Sequence, residues 1–526
     1  MLQKLITKEN RIYIFVLSGI LTLLLILGYE IEHYNRLAFY PVTLLAAAGV
    51  FAVSFCVVTL LFYAFDRITL VQNKEIRRKK VFPASFGILF VIYIIWLLGV
   101  YPGLFIFDAP EQFALYSYGL ISEQQPALHT VLLGLILSTF ADGENISTGV
   151  FVYSLIQILV SVAAFSYAIS YIAKKAGNKY VPVLLTAFFG IYPPIVFMVL
   201  STTKDSCFFA FFMFFATLMA EYFEDTAGFM KKVPKVILFC ISVTMMMIFR
   251  NNCVYAVPFL ILPLLILTKK ENRKNAGILT GVIVLLFLCY KLLFVSAFVN
   301  IKVDGREKYS IPLQQMMRIA TSRDSIVTAE EIEVIENLVS EEGRVYVPAI
   351  ADIPKSKVNM DYYYANKAKV QSAYFNMIAD NPVSAAEAFL ATNCGLWYPA
   401  SKLTLYRNGD KGYWPAESYE PAKTDSRLPM ITDYLKGFNN MYYSDQRVIL
   451  PLLFSPGSAF FLFLFFFTFA IYKKRKDFIT LGLFVLMYWA TFLLGPVALV
   501  RYAIYLYGMI PFYLLLIKRR RGEQNE

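Results

Sequence analysis

The sequence contains little charge and few histidines. Charged residues make up only 16% of its 526 positions, whereas hydrophobic residues make up 58%. A water-soluble globule of this length needs a more polar surface, so the composition excludes a soluble protein. The two histidines, His33 and His129, have no second ligand at a recognisable spacing. Zinc sites of the HExxH or histidine-cluster type are therefore unsupported.

Cysteine pairs and nucleotide-binding motifs are also missing. The cysteines are scattered, form no CxxC pair and give no basis for a disulfide framework. They are Cys56, Cys207, Cys240, Cys253, Cys289 and Cys394. No Walker or Rossmann fingerprint occurs, so a soluble nucleotide or nucleotide-sugar donor is unsupported. Energy for any synthesis would then have to arrive in the substrate itself.

Long apolar runs are abundant. Each is about 17 to 25 residues long, which is enough to cross a hydrocarbon core of about 30 Å as a helix. They predict an all-α polytopic membrane protein with about twelve transmembrane helices. The first run is too long for a secretory signal and is interpreted as a retained anchor. The predicted spans are residues 12–29, 40–65, 83–100, 149–172, 181–199, 205–222, 235–249, 253–268, 277–298, 449–471, 478–495 and 499–517.

The net charge of +12 lies mainly in short basic clusters beside the apolar runs. Such clusters are typical of orientation signals, not of a nucleic-acid-binding face, so no nucleic-acid partner is expected. Placing them in the cytoplasm predicts a multi-pass plasma-membrane protein with both termini cytoplasmic. The clusters are residues 77–80, 174–175, 269–274, 473–476 and 518–521.

If this topology is correct, one apolar stretch does not cross the membrane. Residues 128–140 form a run of about thirteen residues, a length typical of re-entrant or interfacial segments. If that run crossed, every later basic cluster would lie outside. We therefore predict that residues 101–148 form one long external segment with juxtamembrane helices.

Several polar groups at predicted helix ends fall on the same external side. They are Lys204 and Asp205 in "TTKD", Arg250 and Asn251 in "FRNN", and Arg501 in "ALVRY". Ionisable groups at or within membrane helices are costly unless they are solvated or paired, so their grouping is a site hypothesis. The alternative is that the cations snorkel or form purely structural ion pairs.

Two carboxylates stand where the chain leaves the third predicted span. Asp108 and Glu111 are three residues apart, and a helix would place them on one face, where they could act as a base and its helper. The alternative is a solvated loop in which Asp108 caps a helix and Pro110 occupies its first turn. His129 could orient a phosphate or carboxylate, or make a structural hydrogen bond.

Residues 300–448 are more polar and predict a mainly helical extracytoplasmic domain. Thr328 and Glu331 form a potential capping box, and Asn381 is predicted to cap a second helix. Four aromatic residues lie in sequences typical of loops, where they could stack on sugar rings or belong to the membrane interface or core. These aromatic residues are Trp397, Tyr398, Trp414 and Tyr419.

The chain thus divides into four predicted parts. They are N-terminal anchor helices (1–82), a transmembrane core with the external segment 101–148 (83–299), the external domain (300–448), and C-terminal helices with a basic tail (449–526).

Six short motifs, in this order, carry a resemblance to a known superfamily. They are "YPGLFIFDAPEQ", "QQPALHTVLLG", "TTKDSCFF", "FRNNCVY", "IPLQQMMRIA" and "GLWYPA". Together with the arrangement of spans, they resemble the GT-C superfamily of integral membrane glycosyltransferases. The likeness is greatest to a little-characterised bacterial multi-pass group within it, and it covers residues from about 101 to 507.

The resemblance implies transfer of a sugar from a polyprenyl-phosphate donor to an external glycan or glycolipid, with inversion at the anomeric carbon. By position, Asp108 would be the base. Glu111 would be the second catalytic residue and would line the same cavity as Lys204 and Asp205. Arg250 and Arg501 would hold the lipid phosphate, Asn251 and His129 would also bind substrate, and Gln315, Arg318, Trp397 and Tyr398 could contact sugar. No DxD stands in the first external segment, so no divalent metal or other cofactor is expected.

Three other functions fit parts of the pattern. A transporter or flippase of a lipid-linked or anionic substrate would also carry ionisable groups in its spans, although no internal repeat relates the two halves. A surface polysaccharide polymerase or ligase would use the same lipid-linked substrates. A non-catalytic assembly scaffold is the remaining alternative.

Overall fold

The computed structural model describes residues 6–37, 40–72, 76–303, 305–399, 401–402, 418–443 and 449–521. Trp414 lies outside these residues. The described chain is helical almost throughout, as predicted, with one two-stranded sheet. The helices are α1 (Arg11–Tyr34), α2 (Pro41–Arg67), α3 (Arg78–Gly99), α4 (Ala109–Ser117), α5 (Ala127–Thr139), α6 (Ser147–Ala176), α7 (Val181–Ile191), α8 (Pro193–Leu200), α9 (Lys204–Glu224), α10 (Thr226–Met230), α11 (Val233–Phe249), α12 (Cys253–Ala256), α13 (Pro258–Leu267), α14 (Arg273–Cys289), α15 (Ser296–Phe298), α16 (Ser310–Thr321), α17 (Ala329–Leu338), α18 (Asp352–Ser356), α19 (Met360–Ala365), α20 (Lys367–Asp380), α21 (Pro382–Trp397), α22 (Pro429–Tyr443), α23 (Ile449–Phe454), α24 (Pro456–Tyr472), α25 (Lys476–Thr491) and α26 (Ile504–Met509).

The protein is a helical membrane protein. Within the described residues, seven helices are long and apolar enough to cross a bilayer, or eight if the bent pair α7 and α8 is one span. The seven are Arg11–Tyr34, Pro41–Arg67, Arg78–Gly99, Ser147–Ala176, Lys204–Glu224, Lys270–Phe298 and Lys476–Leu494. On α2, Val42 and Leu45 are 74% and 75% exposed, which is the surface that lipid would cover.

The short apolar helix α5 covers the stretch that must not cross. Its 13 residues span about 20 Å, less than a hydrocarbon core of about 30 Å. It packs against α4 and α6. The length agrees with a segment that stays on one side, although its membrane placement stays a prediction.

The basic clusters gather at one end of the bundle. Strand β1 (Thr69–Gln72) pairs in parallel with β2 (Lys518–Arg521), and Asn178 donates to the carbonyl of Val71 at 3.2 Å. Lys473 pairs with Asp66, just before β1. The contacts bring these clusters together in space, while the side of the membrane on which they lie stays a prediction.

Part of the predicted external domain has its own hydrophobic core. Met317, Val334, Met377 and neighbouring side chains from α16, α17 and α20 form this core. In contrast, α21 and α22 pack into the main core, and α21 also packs against α1. The described parts of residues 300–448 thus contribute to two hydrophobic cores, and their assignment to one domain stays a prediction.

The two predicted helix starts in this region differ in outcome. Thr328 and Glu331 form the predicted capping box at the start of α17. Asn381 occupies the residue before α21, but its side chain makes no cap, so that prediction is wrong. The Asn381 amide instead exchanges hydrogen bonds of 2.7 Å with both backbone groups of Ile326, tying two segments together.

Candidate functional site

Four helix ends meet at the end of the bundle opposite the basic clusters. Asp108 precedes α4, Lys204 and Asp205 open α9, Arg250 follows α11, and Arg501 lies in a 3₁₀ turn before α26. Helix dipoles favour three of these charges: carboxylates at two N-termini and a cation at a C-terminus. Lys204 stands against the dipole of α9, so its position depends on a nearby anion.

Backbone hydrogen bonds hold two of these segments together. The Leu104 N–H donates to the carbonyl of Leu200 at 3.1 Å, and the Thr202 N–H donates to the carbonyl of Leu104 at 2.9 Å. The Thr202 hydroxyl donates to the same carbonyl at 3.0 Å. These bonds fix the chain before Asp108 beside the chain before Lys204.

Asp108 receives two cations. The Arg501 guanidinium reaches both carboxylate oxygens, with Nη1–Oδ2 at 3.0 Å and Nη2–Oδ1 at 3.3 Å. Lys204 Nζ lies 2.9 Å from Oδ2 and also contacts the Gln125 side chain. The two-point guanidinium contact fixes the orientation of the carboxylate.

Asp205 continues the same network. Arg501 Nη1 lies 3.3 Å from its Oδ2, and Arg250 pairs with its Oδ1. The Thr203 hydroxyl donates to Oδ2 at 3.1 Å. The network formed by Asp108, Lys204, Asp205, Arg250 and Arg501, named here the charged cluster, has three cations and two carboxylates. It therefore carries an excess positive charge that suits an anionic ligand.

Aromatic rings lie against both guanidinium groups. The Tyr502 ring lies 4.8 Å from Arg250 Cζ and 5.2 Å from Arg501 Cζ, while the Phe107 ring lies 4.7 Å from Arg501 Cζ. Cation–π contacts of this kind offset part of the desolvation of a buried cation. Phe107 has a φ of +58°, a strained conformation for a bulky residue and one that clusters at functional sites.

The charged cluster opens to its surroundings at Asp108. The Asp108 side chain is 21% exposed, compared with 2% for Asp205 and 7% for Arg501. Burial by itself raises the pKa of Asp108, but Arg501 and then Lys204 outweigh it and hold the pKa well below its usual range. In this arrangement Asp108 is ionised but is a weak base.

Two guanidinium donors remain available. The Nε atoms of Arg250 and Arg501 are buried and have no hydrogen-bond partner within the described structure. Buried donors are nearly always satisfied, so such atoms at a charged site need an explanation. A bound anion would supply the missing acceptors.

Glu111 lies beside the charged cluster, in the first turn of α4, but makes no ion pair with it among the described residues. The residue as a whole is exposed. Burial of part of the group and the charge of Asp108 raise its pKa, and Lys204 opposes that change. Because its pKa is raised whereas that of Asp108 is lowered, the Glu111 carboxylate is the stronger base of the two in this arrangement.

His129 is buried within a hydrogen-bonded chain. Its Nδ1 lies 3.0 Å from Gln112 Oε1, and its Nε2 lies 2.8 Å from the Tyr153 hydroxyl. A neutral ring that donates from Nδ1 and accepts at Nε2 satisfies both contacts. Gln112 also donates to Thr130 at 3.0 Å. His129 therefore makes structural hydrogen bonds that join α4, which begins beside Asp108, to α5 and α6.

The other predicted site residues hold elements together. Asn251 donates to the carbonyl of Glu123 at 2.8 Å. Gln315 donates to Ala385 O at 3.1 Å, and Arg318 pairs with Glu387 at 2.7 Å. These contacts account for their polar groups by packing between segments, so their contact with substrate stays a prediction.

The predicted loop setting of Trp397 is wrong. Trp397 is the last residue of α21 and is only 6% exposed, because this turn packs into the main core. Tyr398 follows immediately and packs over Gly28 of α1. Both aromatic residues therefore have packing roles here, and their contact with sugar stays a prediction.

Sequence reasoning missed several neighbours of the charged cluster. Gln125, Thr203 and Tyr502 contact its cations or carboxylates. The sequence analysis named none of the three, even though each lies in or beside a segment that contains predicted site residues. A Thr two positions before Asp at the start of an apolar run is a recognisable helix-cap pattern. Tyr502 has no such signal, because tyrosine is common at membrane interfaces.

The sequence predicts that no divalent metal or other cofactor binds at the charged cluster. Within the described structure, no group of three or more His, Cys, Asp or Glu side chains is placed to hold a metal ion. Two carboxylates already paired with three cations are poor ligands for a divalent metal.

Fold and site together define a helical membrane protein with a buried charged cluster at one end of its bundle. The chain belongs to DUF6020, a family of unknown function, which matches residues 117–526. No curated protein and no solved structure matches the chain. The match includes Lys204, Asp205, Arg250 and Arg501, whereas Asp108 and Glu111 precede it. The GT-C resemblance has no support from these comparisons.

Proposed function

We propose that the protein is a membrane glycosyltransferase that moves a sugar from a polyprenyl-phosphate donor to an extracytoplasmic glycan or glycolipid. One observation carries the proposal: Asp108 lies between two cations in a cluster that also holds unpaired guanidinium donors. A phosphate group and a hydroxyl acceptor are the two partners that this chemistry suits.

The phosphate of the donor would bind Arg250 and Arg501. Guanidinium groups bind phosphate oxygens through paired N–H donors, and both Nε atoms are available. A phosphate that draws Arg501 and Lys204 toward itself would weaken their hold on Asp108. The pKa of Asp108 would then rise toward its ordinary range, so donor binding would activate the base.

The transfer step is a displacement at the anomeric carbon. The acceptor oxygen forms a bond to that carbon, and the bond between the carbon and the phosphate oxygen breaks. The electron pair of the broken bond leaves with polyprenyl phosphate, whose charge the arginines stabilise. The proton of the acceptor hydroxyl passes to Asp108. Because the acceptor attacks the face opposite the leaving phosphate in a single displacement, the anomeric configuration inverts.

This proposal includes a membrane arrangement. The eight candidate spans and four shorter apolar helices would give the twelve crossings of the sequence-based topology, with α5 remaining outside. The shorter four are Val233–Phe249, Cys253–Leu267, Pro456–Tyr472 and Val500–Leu516. The charged cluster would then face outward in the plasma membrane, with both termini in the cytoplasm.

The test is transfer of radiolabelled sugar from polyprenyl-phosphate sugars to endogenous acceptors in membranes that carry the full chain. We expect Asp108→Asn to abolish transfer while native mass spectrometry still detects polyprenyl phosphate on the purified variant. Asp142→Asn is the matched control, because Asp142 is an exposed carboxylate in the same segment and lies outside the charged cluster.

A second variant guards against misfolding. Asp108→Glu keeps the charge and should retain the fold, but it moves the carboxylate and should lower transfer by about tenfold or more. Unchanged transfer in both Asp108 variants at matched abundance would overturn the enzyme assignment. Transport or flipping of a lipid-linked substrate would then be the leading alternative.

A further inference from the structure

A second polar site lies at the opposite end of α9 from the charged cluster. Lys204 opens this 21-residue helix and Glu224 closes it, so the two ends are about 30 Å apart. That length matches the hydrocarbon thickness of a bilayer. A cavity of about 810 Å³ opens beside Glu224, among the basic clusters.

The cavity has cationic and apolar walls. Five cations and three carboxylates line it, together with apolar side chains that include Phe223, Leu267 and Leu515. The charged lining residues are Lys175, Lys269, Lys474, Arg475, Lys476, Glu224, Asp225 and Asp477. Cations beside apolar surface are typical of sites for anionic lipid headgroups between membrane helices.

Each carboxylate of the lining already has a partner. Glu224 pairs with Lys175, and Asp477 receives both Nε and Nη2 of Arg475, at 3.0 and 2.7 Å. Asp225 caps α10 by accepting from the Gly228 N–H at 2.9 Å. Two of the five lining cations are thus paired with carboxylates, and the lining as a whole carries a net charge of +2, from five cations and three carboxylates.

Three lysines of the lining make no ion pair within the described structure. Within the described structure, Lys269 and Lys474 are exposed and have no ion pair, and Lys476 makes only one contact, 3.2 Å to the Leu267 carbonyl. Lys474 has a φ of +54° in the turn between α24 and α25. Its neighbours Lys473 and Arg475 are both paired with carboxylates, whereas Lys474 is not, so its charge remains available to a ligand in the cavity.

We infer that this cavity binds the phosphate group of an anionic ligand, with the headgroup of an anionic phospholipid as its source. Lys269, Lys474 and Lys476 contact the phosphate, while the apolar wall receives the start of the acyl chains. The inference is independent of the proposed transferase activity, because it concerns the other end of the bundle.

The test is a lipid titration of the purified full chain, with bound lipid counted by native mass spectrometry. Phosphatidylglycerol should bind more tightly than phosphatidylcholine, and Lys269→Gln/Lys474→Gln should weaken phosphatidylglycerol binding by roughly tenfold or more. Lys231→Gln/Lys232→Gln is the matched control, because these exposed lysines follow α10 but do not line the cavity. The control should bind like the wild type.

Three results would overturn the inference. Equal losses in the two double variants would show a general effect of net charge. Equal binding of phosphatidylcholine, whose phosphate is balanced by the choline ammonium group, would show that the cavity does not select an anionic headgroup. Competition by soluble glycerol phosphate at the same concentrations as phosphatidylglycerol would replace the lipid source with a soluble phosphate ester.

Discussion

Burying an ion network at a membrane boundary costs free energy, so such a network needs a functional explanation. Removing a charge from water costs several kcal/mol even after relaxation, and ion pairing returns only part of that cost. The charged cluster contains one more cation than carboxylates, with Nε of Arg250 and Arg501 unsatisfied. Structural ion pairs alone would favour balanced charge, so the imbalance is better explained by an anion that binds there.

The charged site residues were predictable from the sequence, but the uncharged residues that hold the surrounding helices in place were not. Lys204, Arg250 and Arg501 attract attention because ionisable residues are rare in apolar segments. Gln112 and Tyr153 attract none, because uncharged polar residues occur at many positions in membrane helices. Their role emerges only when α4, α5 and α6 pack around His129.

Loss of the Tyr153 hydroxyl should reveal this supporting network. Tyr153→Phe removes the donor to His129 Nε2 and leaves that buried nitrogen unsatisfied, at a cost of about 1–3 kcal/mol. We expect a lower Tm of the purified chain in detergent. Tyr118→Phe is the control, because Tyr118 is 80% exposed, and it should leave Tm unchanged. Equal Tm values for the two variants would mean that the Tyr153–His129 contact does not stabilise the fold.

Most helices were predictable because a helix long enough to cross a bilayer needs a long apolar run. The bends within helices and the pairing of strands were not predictable. The predicted span 181–199 is bent by 58° between α7 and α8, where Pro193 and Pro194 follow Tyr192. Proline removes a backbone donor and disfavours helix before it, which explains the break. The pairing of β1 with β2 was not predicted, because the two strands are far apart in the sequence and meet only in the folded chain.

The contact between α5 and α6 is close enough to require glycine. A Cβ added at Gly149 would lie 2.6 Å from the backbone Cα of Leu137, which cannot yield as a side chain does. Gly149→Ala should therefore separate the helices and destabilise the chain by about 1–3 kcal/mol, measured as a lower Tm. The displaced α5 carries His129, so sugar transfer should fall as well.

A matched substitution separates crowding from helix propensity. Gly277 lies in α14, and an added Cβ would meet nothing within 4 Å. Gly277→Ala should raise Tm slightly, because alanine favours helix by about 1 kcal/mol relative to glycine. A similar change in Tm for both variants would contradict the proposed crowding at Gly149.

At the scale of the whole molecule, the sequence suggested an added N-terminal anchor and a separate external domain. In the structure, α1 packs against α21 and α24. Arg318 donates to the carbonyl of Asn35 at 2.9 Å, and the Leu37 N–H donates to Glu387 at 2.8 Å. Such contacts join residues about 280 and 350 positions apart, and no local pattern encodes pairings at that separation.

Both proposed sites depend on which helices cross the membrane, and α5 decides the question. If α5 stays on one side, positions 118 and 144, which flank it, face the same compartment, and position 274 in a basic cluster faces the other. All three side chains are exposed. Tyr118→Cys, Glu144→Cys and Lys274→Cys can be tested in a chain whose six native cysteines are replaced by alanine.

We expect a membrane-impermeant maleimide to label the thiols introduced at positions 118 and 144 in intact cells, and the one at 274 only after permeabilisation. Labelling at 118 but not 144 would mean that α5 crosses, which would invert every later segment and move Lys204 and Arg501 away from the side of Asp108. The ion pairs that Asp108 makes with Lys204 and Arg501 cannot form across a bilayer. The same labelling therefore tests the geometry of the charged cluster as well as the topology.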